Sequence, residues 1–596
     1  MIFHVHLVPV ILLAASSAIA APIHGPQGDV CHKSYRNAGS QGRAPEYPVT
    51  GNKGAVVTEV DVCSNVGVDL LKKGGSAADA AIGASLCVGS LAAFHSGIGG
   101  GGFGLLRTAD GTKRMFDFRE TAPAASNETM FSNNTNPTAS IVGGLAVAIP
   151  GELRAWEDLH RQYGKLSWKE LFKPAIELNR NGFKIGNQLS VAINVKKYPF
   201  LCADPIWREV YCPNGTAKGE GEWIRNKRYA ITLEKIAKGG PDMFYNGELA
   251  RTTVAAVQAR GGIMTVQDLI DYVLQWRKPN NITYAGKHRV TAGVAPSSGN
   301  VVLSALQTLD TFPAADFSQK TNLTAHRLVE AMKFGYGERT TFGDPDFVGN
   351  VTKLQASYLL PAYAKEKSAK ILDNATHPVE LYNPSNSEVL SDSGTSHISA
   401  VDSTGMAITL TTSVNTFWGS QIMTPDGFIL DNTMDDFSSP LTKNYYGYVP
   451  TKANFIRPGK RPLSSMSPVI VENLKTGALE LATGSAGGSR IITAVLQNVY
   501  RVLASDGQLD LQQSINAPRI HDQLQPNVTS LEWAEPSIPG FQGFDNATAL
   551  SLKEKGHITI YVAPGQSTAQ GVQRFRNGTF LAAAEIRQFS ARGAAL

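Results

Sequence analysis

Gly394-Thr395 is the pair of residues in this chain with the clearest capacity for chemistry. Thr395 opens a strand-like run, Thr395-Ser-His-Ile-Ser-Ala-Val401, deep inside the sequence. A threonine hydroxyl is a poor nucleophile until a base removes its proton, and a chain-terminal threonine carries a base of its own, the α-amine. With an ordinary pKa of about 8, that amine is partly neutral near neutral pH. The chemistry needs a free amino group on Thr395, and therefore cleavage of the Gly394–Thr395 bond. Glycine on the other side of that bond permits the strained backbone of a self-cleavage. Alone, Thr395 reads far more readily as an ordinary strand threonine. Its significance comes from the motifs that follow it.

Those motifs are Met434-Asp-Asp-Phe437, Pro462-Leu-Ser-Ser-Met-Ser-Pro468 and Gly484-Ser-Ala-Gly-Gly-Ser-Arg490. The last precedes an apolar helical run, Ile491-Ile-Thr-Ala-Val-Leu-Gln497. Backbone N–H groups at a glycine pair ahead of a helix can stabilise an oxyanion, and the same pattern also serves as a tight strand-to-helix turn. Asp117-Phe-Arg-Glu120 and Met434-Asp-Asp-Phe437 supply opposite charges. An arginine fork suits an α-carboxylate and a carboxylate suits an α-ammonium. A structural Arg–Asp pair would use the same residues.

Other chemistries are absent from the sequence. Gly97-Ile-Gly-Gly-Gly-Gly102 satisfies GxGxxG, but an Ala-rich helix precedes it and the strand-like Phe103-Gly-Leu-Leu-Arg107 follows. A dinucleotide site requires the reverse order. There is no Walker lysine, HExxH or GxSxG motif. The twelve histidines show no ligand spacing, so neither a metal nor a cofactor is expected.

Positioning Thr395 falls to a predicted hairpin. Asp402-Ser-Thr-Gly405 breaks the apolar pattern, and three-residue loops favour glycine at the left-handed position. A Ser403-Thr404-Gly405 loop pairs Asp402 with Met406 and sets Thr395 opposite Ser413. Asn415 falls on the same side by strand alternation, and a one-residue slip would undo the arrangement. Upstream, Gly54–Thr58 reads as a strand and Asp61–Gly74 as a helix ended by glycines. Ser76–Leu91 reads as a second helix with Ser76 as N-cap. Helices and short strands alternate to about residue 375. Residues 376–394 are polar and turn-rich, as in an exposed connection. Mainly strands follow Thr395.

With 596 residues the chain exceeds one ordinary core, so two lobes or subunits are expected. Its 42% apolar and 18% charged residues are those of a globular protein. With 55 basic and 50 acidic residues and no basic run, nucleic acid is not an expected partner. Residues 1–20 have an apolar centre and end in Ala18-Ile-Ala20, a signal-peptide pattern. Residues 21–50 read as a Gly/Pro/Ser-rich linker. Ten glycosylation sequons fit a secreted protein: Asn127, Asn133, Asn214, Asn281, Asn322, Asn350, Asn374, Asn527, Asn546 and Asn577. Cys63 with Cys87 and Cys202 with Cys212 could each be a disulfide or a pair of buried thiols, with Cys31 left over.

Together the motifs resemble the γ-glutamyltranspeptidase (glutathione hydrolase) family, over nearly the whole chain from Gly54. The resemblance implies an α+β fold, a four-layer αββα sandwich of the N-terminal nucleophile hydrolases. It also implies a precursor that cuts itself into a large subunit, 51–394, and a small one, 395–596, which stay together as a heterodimer. Thr395 would be the nucleophile, Ser413 would orient it, and Gly487 and Gly488 would form the oxyanion hole. Arg119, Asn415, Asp436, Ser464 and Ser465 match positions that hold the γ-glutamyl group. Cys63–Cys87 matches a disulfide of animal relatives, and Cys202–Cys212 a second. Ser438–Gly447 resembles a lid loop, with Tyr446 as its gate. One departure stands out: the family commonly has Glu or Gln where this chain has Thr433, and Asp431 is the candidate to compensate.

The expected activity is attack on the γ-glutamyl amide of glutathione and its conjugates. Thr395 would carry the acyl group to water, or to an amino acid or dipeptide. No cofactor is implied. A secretory-pathway location is expected, with an uncleaved anchor or the vacuole as variants. The rivals are an acylase or poly-γ-glutamate depolymerase of the same fold, and an inactive binding protein.

Overall fold

The Ser396–Asp402 and Ala407–Ser413 strands pair antiparallel, with Ser396 opposite Thr412 and Val401 opposite Ala407. That register, extended by one pair, sets Thr395 opposite Ser413, as the sequence predicts. Gly405 closes the loop with φ +82°, and Asp402 N–H donates to Met406 O at 3.1 Å. The loop is also tied down from outside. The Asp402 carboxylate accepts the Ala77 N–H at 3.0 Å, at the positive end of the Ala77–Leu91 helix. Ser76 and Asp79 close a reciprocal cap on the same helix.

The structure, a computed structural model, describes residues 48–132, 134–387, 394–440 and 449–596. The hairpin is central in a seven-stranded sheet. Its strands run, edge to edge, Arg592–Ala595, Gly54–Thr58, Ser396–Asp402, Ala407–Ser413, Gly101–Arg107, Lys113–Asp117 and Gln275–Arg277. A second seven-stranded sheet runs Thr50–Gly51, Phe580–Ala583, Thr568–Arg574, Leu479–Ala486, Val469–Asn473, His288–Ala292 and Asn280–Tyr284. The two sheets face each other, with Leu479–Ala486 packed across both strands of the hairpin.

Helices Asp61–Lys72 and Ala77–Leu91 cover the outer face of the first sheet, and Gly299–Leu309 and Arg490–Ala504 that of the second. This is the expected αββα sandwich. Alternation along the hairpin sorts its side chains between layers. Ile398 and Ala400 join the core under the first helical layer. Val401 and Ala407 join the core between the sheets. His397 also points inward. A Cβ on Gly484 would meet its ring at 2.2 Å, so only glycine lets the sheets close there.

Each sheet contains strands from both sides of Gly394, so the two parts of the chain share one core. The linker reading of 21–50 is corrected at its end, because Thr50 already pairs with Leu581. Both disulfides, Cys63–Cys87 and Cys202–Cys212, are formed. The signal segment 1–20, Cys31, Asn133 and Tyr446, with most of its loop, lie outside the described residues. Among the described residues no helix is long and apolar enough to cross a membrane.

Candidate active site

Thr395 is buried and directly follows Gly394. Its hydroxyl donates a short hydrogen bond to the Gly394 carbonyl oxygen. Ser413 Oγ donates to that same oxygen at 2.9 Å. Gly394 has φ +82°, and a Cβ there would lie 2.0 Å from Asn415 O, so both backbone conformation and space demand glycine. The Thr395 N–H points the other way, to His95 Nδ1 at 3.3 Å.

Asn415 reaches this site by a different route from the one its spacing suggests. The strand ends at Ser413, and Asn415 has left-handed backbone, φ +72°. Its N–H donates to Ser413 Oγ at 2.7 Å and its Nδ2 to Asn432 O at 3.0 Å. Strand alternation therefore does not set its side chain; the turn after the strand does.

Asn432 leads into a second, charged group. Thr433 Oγ1 donates to Glu120 Oε1 at 3.0 Å, and Arg119 Nη1 to Glu120 Oε2 at 3.3 Å. Arg119 Nη2 makes a close ion pair with Asp436, and its Nε reaches Pro462 O at 3.4 Å. Asn454 joins the same segments, donating to Asp436 O at 2.8 Å and accepting from Leu463 N–H at 2.9 Å. Ser464 and Ser465 follow. Ser464 O accepts from Ser298 Oγ at 2.6 Å, and Ser465 Oγ accepts from Arg339 at 3.1 Å. Glu120, Asp436 and Pro462 thus meet around one buried arginine.

Asp431 does not take the place of the missing Glu or Gln. Its Oδ1 accepts from Thr433 N–H at 2.8 Å and Ala148 N–H at 3.1 Å, inside the protein. Burial, with Glu120 nearby, pushes its carboxyl well above the usual range. Burial raises Glu120 as well, against the pull of Arg119. The carboxylate behind Thr433 is Glu120, a residue the sequence reading grouped with Arg119 without giving it a separate role.

Gly487 and Gly488, both with positive φ, form the turn from the Leu479–Ala486 strand into the Arg490–Ala504 helix. A Cβ on Gly487 would lie 2.5 Å from Gln566 O. The same strand carries Gly484 against His397, two residues from Thr395 on the inward face. His397 itself is held neutral, pushed down to about 3 by burial, and bonds Thr411 and Ser399 at 2.9 and 3.0 Å.

Spacing also missed a histidine cluster away from Thr395. His326, Glu330 and His557 place their ligand-type atoms within 4.8 Å of one another. The donors there are already engaged. His326 Nδ1 and His557 Nε2 bond each other at 2.8 Å, and His326 Nε2 bonds Leu372 O at 2.7 Å. Lys333 Nζ lies 3.4 Å from His557 Nδ1. These contacts form a seam joining residues before and after Gly394.

The family model for γ-glutamyltranspeptidase matches residues 63–595. A glutathione hydrolase proenzyme of Arthroderma benhamiae is 42% identical over 562 residues, spanning 91% of this chain and 93% of the relative. Glutathione hydrolase 2 of Arabidopsis thaliana is 37% identical over 86% of this chain and 88% of its own length. Among solved structures, cephalosporin acylase from Bacillus halodurans superposes with TM-score 0.79 at 24% identity, covering 94% and 98% of the two chains. A γ-glutamyltranspeptidase from Helicobacter pylori gives 0.52 at 28% identity, over 57% of this chain and 96% of that one. This chain belongs to the γ-glutamyltranspeptidase family.

Proposed function

We propose that the chain is a self-cleaving threonine hydrolase that takes the γ-glutamyl group from glutathione and its S-conjugates. It passes that group to water, or to an amino acid or dipeptide. The observation that carries the reading is the convergence of the Thr395 and Ser413 hydroxyls on the Gly394 carbonyl. In maturation, Thr395 Oγ1 bonds to the Gly394 carbonyl carbon while Ser413 steadies the oxygen. The C–N bond breaks, the proton from Oγ1 passes to the nitrogen, and an ester remains. Water then releases the Gly394 carboxylate. The products are a large subunit ending at 394 and a small one beginning with Thr395, held together by the shared core.

The free α-amine of Thr395 then serves as base for the same hydroxyl. Attack on the substrate γ-carbonyl releases the amine and leaves a γ-glutamyl ester on Thr395. Gly487 and Gly488 N–H groups stabilise the oxyanion. Arg119 takes the α-carboxylate with Ser464 and Ser465. Asp436 takes the α-ammonium, with Asn415 and Thr433 beside it. Glu120, bonded to both Thr433 and Arg119, stands behind that pocket. Tyr446 would gate the entrance. Export through the secretory pathway fits the N-terminal segment.

A cephalosporin acylase shares the fold, but a buried Arg119–Asp436 pair suits a substrate end bearing both α-charges. An acyl group lacking them needs neither residue. The decisive experiment is Thr395→Ala: an uncut chain inactive on γ-glutamyl-p-nitroanilide is expected. A cut or active variant would overturn the assignment. Comparison with a glutaryl amide separates this activity from that of an acylase.

A further inference from the structure

We propose that His95, backed by Glu59, holds the reacting nitrogen of Thr395 and is a catalytic residue of the mature enzyme. The inference rests on Thr395 being the nucleophile. His95 precedes the Gly97–Gly100 turn, and Glu59 precedes the Asp61–Lys72 helix; neither belongs to the motifs above.

The geometry is direct. His95 Nδ1 accepts the Thr395 N–H at 3.3 Å, and Nε2 lies 3.1 Å from Glu59 Oε2. That second contact is a close polar approach rather than an aligned hydrogen bond. Since Nδ1 accepts, the ring proton of the neutral imidazole sits on Nε2, facing the carboxylate. Both side chains are buried, His95 at 6% and Glu59 at 1% exposure. His95 Nε2 is the ring atom that faces the Glu59 carboxylate, and a buried carboxylate is costly unless hydrogen-bonded. Ser396 Oγ donates to Glu59 Oε1, and Gln588 Nε2 reaches Oε2 at 3.4 Å. The imidazole stacks on Phe94, ring centres 4.1 Å apart, and meets Phe417 edge-on at 6.0 Å. Its own carbonyl accepts the Val414 N–H at 3.1 Å, so the ring and the Ser413 turn are held in one frame.

In the precursor the nitrogen in question is an amide. After cleavage it is the α-amine, with two N–H bonds and a lone pair. Giving one N–H to His95 fixes rotation about the Cα–N bond, so the lone pair can be aimed at Oγ1. As Oγ1 bonds to the substrate carbonyl carbon, its proton passes to that lone pair. The resulting ammonium forms beside a neutral imidazole and the Glu59 carboxylate, which stabilise its charge. The proton then goes to the departing amine as the substrate C–N bond breaks. His95 gains and loses no proton in the cycle.

The test compares full-length His95→Ala, His95→Asn and Glu59→Gln with wild type, by gel for cleavage and by kinetics on γ-glutamyl-p-nitroanilide. His95→Ala should lose about 10²-fold in kcat with KM unchanged, the scale of a misaligned reacting group. His95→Asn, whose carboxamide oxygen can replace Nδ1 as acceptor, should recover a measurable part of that loss. Wild-type kcat in His95→Ala, or no recovery by Asn, would overturn the proposal and leave the ring a packing element. If His95→Ala gives no folded, cut protein, Glu59→Gln decides, and wild-type kcat there overturns it. Thr395→Ala runs in parallel. Activity in that variant would sink the nucleophile assignment itself. An inert Thr395→Ala beside a fully active His95→Ala would sink only the role of His95.

Discussion

Ser413 Oγ donates a 2.9 Å hydrogen bond to the carbonyl oxygen of Gly394, the oxygen toward which the Thr395 hydroxyl is also directed. A donor already in place on a carbonyl favours negative charge developing there. The left-handed Gly394 backbone, wedged against Asn415 O, keeps that carbonyl between the two hydroxyls. Removing a single oxyanion donor costs about 10²-fold or more in rate. Ser413→Ala should therefore slow conversion of precursor to subunits by about 10²-fold, and Ser413→Thr should process at close to the wild-type rate. A gel time course of freshly purified precursor reads this. Equal rates for Ala and wild type would remove Ser413 from the cleavage step.

The Arg119–Asp436 pair separates binding from chemistry. Asp436→Asn keeps the size of the side chain and removes the counter-charge proposed for the substrate α-ammonium. Hydrogen bonds to charged groups contribute about 1.5–3 kcal/mol, so KM for γ-glutamyl-p-nitroanilide should rise roughly 10- to 100-fold. Turnover of a glutaryl amide, which lacks the ammonium, should change little. An unchanged KM for the γ-glutamyl substrate would show that Asp436 serves only to anchor Arg119.

Glu152 gives a pH dependence of stability. It is buried at the start of the Glu152–Tyr163 helix, where burial pushes its carboxyl up to about 7 against the opposing bond from Thr412. A folded value above the unfolded one means that the native state holds the extra proton. The associated stability is present in full below about pH 4.5 and is lost as pH rises toward 7. The full shift corresponds to on the order of 3 kcal/mol. The wild-type melting temperature should fall from pH 5 to pH 8, and that of Glu152→Gln should fall by less. Equal slopes would show that Glu152 titrates normally.

The hairpin was legible in the sequence because a strand repeats every two residues. One glycine-closed loop therefore sets every pair, including Thr395 with Ser413. The capped Ala77–Leu91 helix and the family itself were legible too, since each rests on local spacing. The positioning of Asn415 is not legible, because that periodicity ends at the left-handed turn beyond Ser413. Asp431 lies two residues from Thr433 in the sequence. The fold turns it inward onto the Thr433 and Ala148 amides.

By itself the sequence determined the nucleophile candidate, the glycine that must precede it, and the motifs that travel with it. Only the tertiary structure decided which distant groups stand beside them. Glu120 meets Thr433 across 313 positions, and His95 meets Thr395 across 300. The His326–His557 contact spans 231. No periodicity links such residues. They meet because two sheets and their helices close on a common core, and a buried polar group must find its partner wherever the packing brings one within reach.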